Sequence, residues 1–162
     1  MELFKISKIN NCEIYISSCP EVSENGSIHF PIFNDFNIVL ISLLDNREAK
    51  FLKLENEAEE AEKVYSEFIC FPIIDMGIPG YQDFVTLIDL LLSKTNYSKK
   101  IIIHCKHGIG RSGLIALGLM IRDGRDLKQA VEKVSKIRGF DIPQSSSQRK
   151  LISLYYKNIN SL

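Results

Sequence analysis

The sequence has 162 residues, which suits one ordinary domain with a single hydrophobic core and leaves little room for a second. Hydrophobic residues make up 45% and charged residues 25%, so a disordered or fibrous chain is excluded. Twenty basic residues balance twenty acidic ones, and a nucleic-acid binder that relies on bulk positive charge is therefore not expected.

Targeting and metal-binding patterns are missing from the sequence. No apolar run approaches the roughly 20 residues of a membrane span, and the first residues lack the apolar stretch of a secretory signal. The cysteines form no C-x-x-C pair and show no zinc-finger spacing with the histidines: Cys12, Cys19, Cys70 and Cys105. We therefore expect a monomeric, cytoplasmic protein with free thiols and with no metal or other cofactor.

The first half of the chain alternates between short apolar runs and one helical pattern. Residues 12–17 alternate as a strand does, and residues 38–43 form the continuous apolar run of a buried strand. Residues 57–68 have helical spacing, and their glutamates are predicted to lie on a solvated face together with Glu55: Glu57, Glu59, Glu60 and Glu62. A strand over 69–74 follows and ends at Asp75, where a Gly/Pro-rich turn begins.

The second half continues the alternation. A helix is predicted over 81–95, a buried strand over 100–104, a core helix from Ser112, a helix over 127–138 between Asp126 and Gly139, and a last helix over 146–158. Strands that alternate with helices predict an α/β fold with a central, largely parallel sheet flanked by helices. We expect one domain over residues 1–162.

The loop from Cys105 to Arg111 lies between the buried strand and the core helix. Its glycines, Gly108 and Gly110, let the backbone curl so that successive N–H groups point inward and bind an anion. The helix that begins near Ser112 adds free N–H groups and the positive end of its dipole. A cysteine at the base of such a nest is expected to be a thiolate near neutral pH.

The remaining residues of the loop complete a phosphate site. Arg111 carries a planar guanidinium that can grip two phosphate oxygens at once, and Ser112 can donate to the sulfur. His104 could bond to nearby backbone and support the shape of the loop. The predicted phosphate-binding residues are Lys106, His107, Gly108, Ile109, Gly110 and Arg111. A structural cysteine beside a helix-start arginine is the alternative, but it does not account for the glycines.

The segment HCKHGIGRSG resembles the HCxxGxxRS/T motif of the protein tyrosine and dual-specificity phosphatase superfamily. The similarity covers roughly the last 95 residues well and the first 65 loosely, and it is strongest to small dual-specificity phosphatases associated with cyclin-dependent kinases. The resemblance implies a compact α/β fold, no metal, and Cys105 as the nucleophile that forms a phosphocysteine intermediate.

A proton donor for the leaving oxygen is the second requirement of this chemistry. Asp75 lies 30 residues before Cys105 and, by resemblance, in the mobile acid loop of the family. Apolar neighbours at positions 74, 76 and 78 are expected to pack beside it and favour its protonated form. The alternatives are a turn role for Asp75, or an acid at Asp45 or Asp141, which match the family position less well.

Gln144 and Gln148 resemble a glutamine pair that in many members positions the hydrolytic water. Capping of the last helix by Ser145 and Gln148 is the other interpretation, and the two are compatible. For Cys70, one interpretation is a disulfide with Cys105 under oxidation. The expected one is a buried, inert thiol.

Substrate preference depends on the middle of the loop and is inferred by analogy. We expect a phosphorylated protein, with phosphotyrosine and also phosphoserine or phosphothreonine accepted, since no tyrosine-recognition loop is found. Phosphoinositide phosphatases carry lysine at the first and fourth loop positions, and here the fourth is Ile109. An RNA 5′-triphosphatase would match His107 but not Gly110. A sulfur-transferase is disfavoured by the glycines, and a phosphate-binding module without turnover by the presence of Cys105, Arg111 and Asp75.

Overall fold

The computed structural model describes residues 1–161, which form seven strands and six helices. In chain order they are β1 (Leu3–Ile9), β2 (Cys12–Ser17), β3 (Glu21–Val22), β4 (Ile28–His29), β5 (Ile38–Ser42), α1 (Asn46–Phe51), α2 (Glu57–Glu62), β6 (Glu67–Cys70), α3 (Tyr81–Lys94), β7 (Lys100–His104), α4 (Gly110–Arg122), α5 (Leu127–Arg138) and α6 (Ser146–Ile159).

Five strands form the central sheet in the order β1-β2-β7-β5-β6, and β3 pairs with β4 separately. The hairpin of β1 and β2 is antiparallel, whereas β2, β7, β5 and β6 run parallel. His104, the last residue of β7, lies opposite Ser17 on one side and Ser42 on the other. The predicted α/β fold with a largely parallel sheet is confirmed, and the four parallel strands end level with one another where a site is expected.

Both faces of the sheet are covered. The α4 helix is buried at every position from Gly110 to Ile121 and packs against α3, α5, α6 and the strands. Alternate residues of β5 and β7 belong to the opposite face, where Leu40 and Ile102 pack with Ala61 of α2 and with Tyr65. The period of two explains why these strands are apolar throughout, as parallel strands buried on both faces are.

The sequence predictions differ from the structure at β1, α1, α2 and β6. β1 was not predicted, and neither was α1, whose first turn is capped by the side chain of Asp45. The helix predicted over 57–68 ends at Glu62, and the strand predicted over 69–74 lies at Glu67–Cys70. Backbone pairing with β5 takes residues 67–70 into the sheet, because tertiary contacts outweigh a local helical spacing.

Within residues 1–161 no helix is long and apolar enough to span a bilayer, and the longest, α3 and α6, have 14 residues each.

Candidate active site

The loop that joins β7 to α4 lies at the carboxyl end of the parallel strands and contains Cys105. The thiol is almost completely buried, with 3% of the residue exposed, and its Sγ lies 3.5 Å from Ser112 Oγ. Ser112 belongs to the first turn of α4, so the sulfur faces the end of the helix where free N–H groups and the positive end of the dipole are found. Ser112 lies within reach of the sulfur, and the expectation that it donates to the sulfur stays a prediction.

The first two carbonyls of the loop are held outward by hydrogen bonds. The Cys105 oxygen lies 3.3 Å from His104 Nδ1, and the Lys106 oxygen accepts from the Cys19 N–H at 3.2 Å. In a planar trans peptide the C=O and the following N–H point in opposite directions. The N–H groups of Lys106 and His107 therefore turn away from these partners, toward the inside of the loop.

Arg138, at the end of α5, holds the next two carbonyls. Its Nη2 donates to the His107 oxygen at 3.1 Å and its Nε donates to the Gly108 oxygen at 2.7 Å. The guanidinium lies 3.6 Å from the centroid of the Phe4 ring and 5.9 Å from that of Phe140. Burial lowers the pKa of Arg138. Four successive carbonyls thus have a donor, an arrangement that fits the predicted anion nest; anion binding there stays a prediction.

Two glycines of the loop are required for different reasons. Gly108 has φ +66°, and a Cβ there would lie 2.4 Å from the backbone carbon of Ser17. Gly110 is not in the left-handed region; a Cβ there would lie 2.4 Å from Gln144 Oε1 and displace that side chain. The loop therefore needs Gly108 for its curl and Gly110 for the approach of Gln144.

Arg111 is 2% exposed and is held by one edge of its guanidinium. Nη1 and Nη2 donate to the two carboxylate oxygens of Glu48 at 2.5 and 2.8 Å, and Nη1 also donates to the Ile73 oxygen at 2.9 Å. Burial opposes the charge of Arg111, but the hydrogen bonds with Glu48 and the nearby negative charges of Glu48, Cys105 and Asp75 together raise its pKa. The edge formed by Nε and Nη2 faces Asp75, whose Oδ1 lies 3.2 Å from Nη2, and is the edge that a phosphate could share.

Sequence reasoning missed Glu48. The carboxylate accepts from Arg111 and from the backbone N–H of Asp45, while the Asp45 side chain accepts from the N–H of Glu48, so the two residues form a capping box at the start of α1. These hydrogen bonds from backbone N–H groups hold the pKa of Asp45 below its usual range. The D-x-x-E spacing after a strand was the available signal. Asp45 is a helix cap and not an acid.

Asp75 lies at the mouth of the loop, where its Oδ1 is 3.2 Å from Arg111 Nη2 and 60% of its side chain is exposed. The expectation that apolar neighbours pack around it is wrong. Ile74 is 74% exposed, and Met76 and Ile78 also face outward, so they give Asp75 no apolar enclosure. The residue contacts the guanidinium that is predicted to bind the phosphate, and its Oδ1 also accepts from the Met76 N–H.

Gln144 and Gln148 occupy different places. The Gln144 side chain lies over Gly110 of the loop. Gln148 is completely buried; its Oε1 accepts from the N–H groups of Gln144 and Ser145, and its Nε2 donates to the oxygen of Gly77 at 3.2 Å. The capping interpretation is confirmed for Gln148 and Ser145. The water-positioning role stays a prediction and fits the position of Gln144.

Sequence reasoning misplaced two residues on the other side of the sheet. Glu57 was predicted on a solvated helix face and is instead buried, with Oε1 2.8 Å from His104 Nε2. Cys70 was predicted to be buried and is exposed. Cys70 lies opposite Ser42, which lies opposite His104, so Cys70 and Cys105 are separated by about two strand spacings, roughly 10 Å. That separation is too long for a disulfide without backbone movement.

The rim of the loop is formed by side chains that reach the solvent. Lys106 and Ile109 are partly exposed, and His107 is exposed. A shallow cavity of about 210 Å³ adjoins Lys106 and is lined also by residues of α1: Arg47, Glu48, Phe51 and Leu52. Among residues 1–161, no cluster of three or more His, Cys, Asp or Glu side chains is arranged to hold a metal ion.

Comparison with known proteins gives a consistent family. Residues 14–158 match the family model described as dual specificity phosphatase, catalytic domain. Over 102 residues the chain is 32% identical to a protein named as a tyrosine phosphatase, 197R, from Invertebrate iridescent virus 6. This match covers 59% of the chain and 37% of the length of the viral protein.

Solved structures share the fold at lower identity. Kinase associated phosphatase (KAP), solved with serine in place of its catalytic-site cysteine, has a TM-score of 0.78 at 16% identity, covering 100% of this chain and 97% of that one. PTPMT1 has a TM-score of 0.73 at 18% identity, with 99% and 97% covered. The active form of Tk-PTP has a TM-score of 0.70 at 19% identity, with 96% of each chain covered.

Proposed function

The chain belongs to the dual specificity phosphatase family, and we propose that it hydrolyses phosphate monoesters of proteins through a phosphocysteine on Cys105. One observation carries the proposal. Four donor atoms bind the carbonyls from Cys105 to Gly108, which supports a loop whose N–H groups point toward the sulfur side. Such a nest favours a dianionic phosphate and the thiolate that attacks it.

In the first step the Cys105 thiolate attacks phosphorus in line, and an S–P bond forms as the ester P–O bond breaks. The inward N–H groups and the Nε–Nη2 edge of Arg111 hold the three equatorial oxygens. Asp75 gives its proton to the leaving oxygen, since an alkoxide or phenoxide leaves poorly without one. Its contact with Arg111 Nη2 supports this role, since the same guanidinium is proposed to bind the phosphate.

In the second step water attacks the phosphocysteine, and the sulfur leaves as a thiolate. Asp75, now ionised, takes the proton of the water. The Ser112 hydroxyl, 3.5 Å from Sγ, donates to the departing sulfur and stabilises its charge. Gln144, which lies over Gly110, is in place to orient the water.

The substrate class follows from the shape of the rim. The loop is flanked by exposed apolar side chains, among them Phe51, Ile74 and Met76, and the cavity beside Lys106 is small, about 210 Å³. A shallow site suits a phosphorylated side chain on a protein surface, whether tyrosine, serine or threonine. The structure of PTPMT1 in complex with PI(5)P makes a phosphoinositide the arm to test beside phosphopeptides. Ile109, at the loop position where that activity calls for a lysine, argues against it.

The test is hydrolysis of p-nitrophenyl phosphate in EDTA, followed by a panel of phosphopeptides, a phosphoinositide and triphosphorylated RNA. We expect turnover without added metal and the highest kcat/KM on phosphopeptides. Acid quenching during turnover should trap one phosphate on Cys105 by mass spectrometry. The Cys105→Ser variant should lose turnover and keep phosphate binding. Residual turnover within about 100-fold of the wild type in that variant would contradict the nucleophile.

A further inference from the structure

Glu57 and His104 form a buried pair of ionisable side chains directly behind the loop. Glu57 is 4% exposed and His104 is completely buried. Oε1 of Glu57 and Nε2 of His104 lie 2.8 Å apart as a charge pair, and among residues 1–161 neither atom has a hydrogen-bond partner elsewhere or a well-aligned bond with the other. Burying such groups costs several kcal/mol unless they satisfy each other, so the pair calls for an explanation.

The surrounding acceptors determine where the hydrogens lie. The carbonyl oxygen of Cys105, 3.3 Å from Nδ1, can only accept, so Nδ1 carries a hydrogen. Oε2 of Glu57 accepts from the hydroxyl of Ser42 at 2.9 Å, which leaves Oε1 to share a proton with Nε2. Because Nε2 is thereby satisfied, the imidazole keeps its Nδ1 hydrogen whether the shared proton belongs to the carboxylate or to the ring.

The position of that hydrogen reaches the phosphate site through one peptide plane. The bond from Nδ1 holds the Cys105 carbonyl outward, and the N–H of Lys106 points the opposite way because the peptide is planar and trans. This N–H is the first donor of the nest. Ser42 and His104 lie on neighbouring strands in register, so the sheet keeps the whole array in place.

We propose that Glu57 is a positioning residue, which acts through His104 to aim the N–H of Lys106 at the bound phosphate. Glu57 holds the imidazole in the tautomer that donates to the Cys105 carbonyl. The inference rests on the proposed role of the Cys105 loop as the phosphate site. The carboxylate comes from α2, outside the motif that contains His104 and Cys105, and nothing in the local sequence marks it.

The first test reads the tautomer directly and needs no turnover. In ¹⁵N spectra of histidine-labelled protein, the His104 signals are identified by their loss in His104→Gln. We expect the Nδ1 of His104 to be protonated in the wild type and in Glu57→Gln. The glutamine amide can donate to Nε2 while its oxygen accepts from Ser42. An unprotonated Nδ1 in the wild type would overturn the proposal.

The second test measures phosphate affinity by calorimetry in the Cys105→Ser background, so that it is independent of catalysis. Glu57→Leu should weaken phosphate binding by about 10-fold, the value of one hydrogen bond to a charged group, whereas Glu57→Gln should stay within about 3-fold of the parent. Glu59→Leu, on the exposed face of the same helix, is the matched control and should change nothing.

Equal losses in Glu57→Gln and Glu57→Leu, or no loss in a folded Glu57→Leu, would overturn the proposal. If Glu57→Leu does not fold, the wild-type spectrum and the affinity of Glu57→Gln still decide. Failure of the proposed function is recognised separately, because turnover would then survive in Cys105→Ser while the tautomer and the phosphate affinity are unaffected.

Discussion

The loop of Cys105 and the loop of Asp75 face the same space but are held very differently. Every carbonyl from Cys105 to Gly108 has a donor from elsewhere in the chain, and the residues on both sides are buried. The Asp75 loop has exposed apolar side chains and is joined to its surroundings at few points, among them Arg111 and Gln148. One half of the site is built before substrate arrives, and the other half is free to adjust to it.

The largest effect should come from breaking the preformed half. Gly108→Ala introduces a Cβ 2.4 Å from Ser17 backbone at φ +66°, so the loop cannot keep its curl. We expect kcat/KM on p-nitrophenyl phosphate to fall by at least about 100-fold, because several oxyanion donors lose their direction together.

The matched control is Gly124→Ala, which has φ +87° and nothing within 4 Å of the added Cβ. It should lower the free energy of unfolding by about 1–2 kcal/mol without changing kcat/KM. Equal activity losses in the two variants would mean that backbone strain, and not the shape of the loop, is responsible.

Removing the acid should be the next largest effect, and it tests the adjustable half. Asp75→Asn should slow hydrolysis of a phosphoserine peptide by about 100-fold or more, because its alkoxide needs a proton. p-Nitrophenolate leaves without help, so the loss for p-nitrophenyl phosphate should be smaller. Steady-state rates on both substrates check this, and an equal loss on both would count against an acid role.

Arg138→Met removes the two bonds to the loop carbonyls while it keeps a long side chain against Phe4. We expect about a 10-fold loss in kcat/KM together with weaker inhibition by phosphate. Arg125→Met, whose guanidinium only approaches exposed Asp123, serves as control and should behave as wild type. An unchanged phosphate affinity in Arg138→Met would show that the other donors suffice.

The smallest effect should come from Gln144→Ala, which sharpens the assignment of the water. If Gln144 orients the water, the second step slows by a fewfold, and stopped-flow traces show a burst of one p-nitrophenolate per enzyme. A change in melting temperature without a burst would place Gln144 with the helix cap instead.

The part of the site that could be predicted from the sequence is the part formed by consecutive residues. The loop from Cys105 to Arg111 is continuous in sequence, and its glycines, arginine and following helix could be interpreted together. Ser112 is in place for the same reason. Strand alternation was enough for the sheet, since β5 and β7 are apolar at nearly every position.

Residues that contact the loop from distant segments of the chain could not be predicted from the sequence. Glu48 binds Arg111 from 63 residues away, and Arg138 binds the carbonyl of Gly108 from 30 residues away. No sequence pattern connects residues over such separations. Glu57 is one of five glutamates between positions 55 and 62. The helical pattern in this segment does not show which of the five carboxylates faces inward. The apolar residues next to Asp75 indicated a buried carboxyl group, but they lie in a loop that exposes them to solvent.

The hydrogen bonds to the carbonyls of the loop also determine when, during folding, the protein becomes active. Their donors belong to residues 19, 104 and 138, so the hairpin, the central strand and α5 must all be docked before the nest exists. A fragment that ends after α4 would contain the whole phosphate motif and still lack the arginine that shapes it. During refolding, recovered turnover should therefore trail the return of secondary structure and report the last tertiary contacts to form.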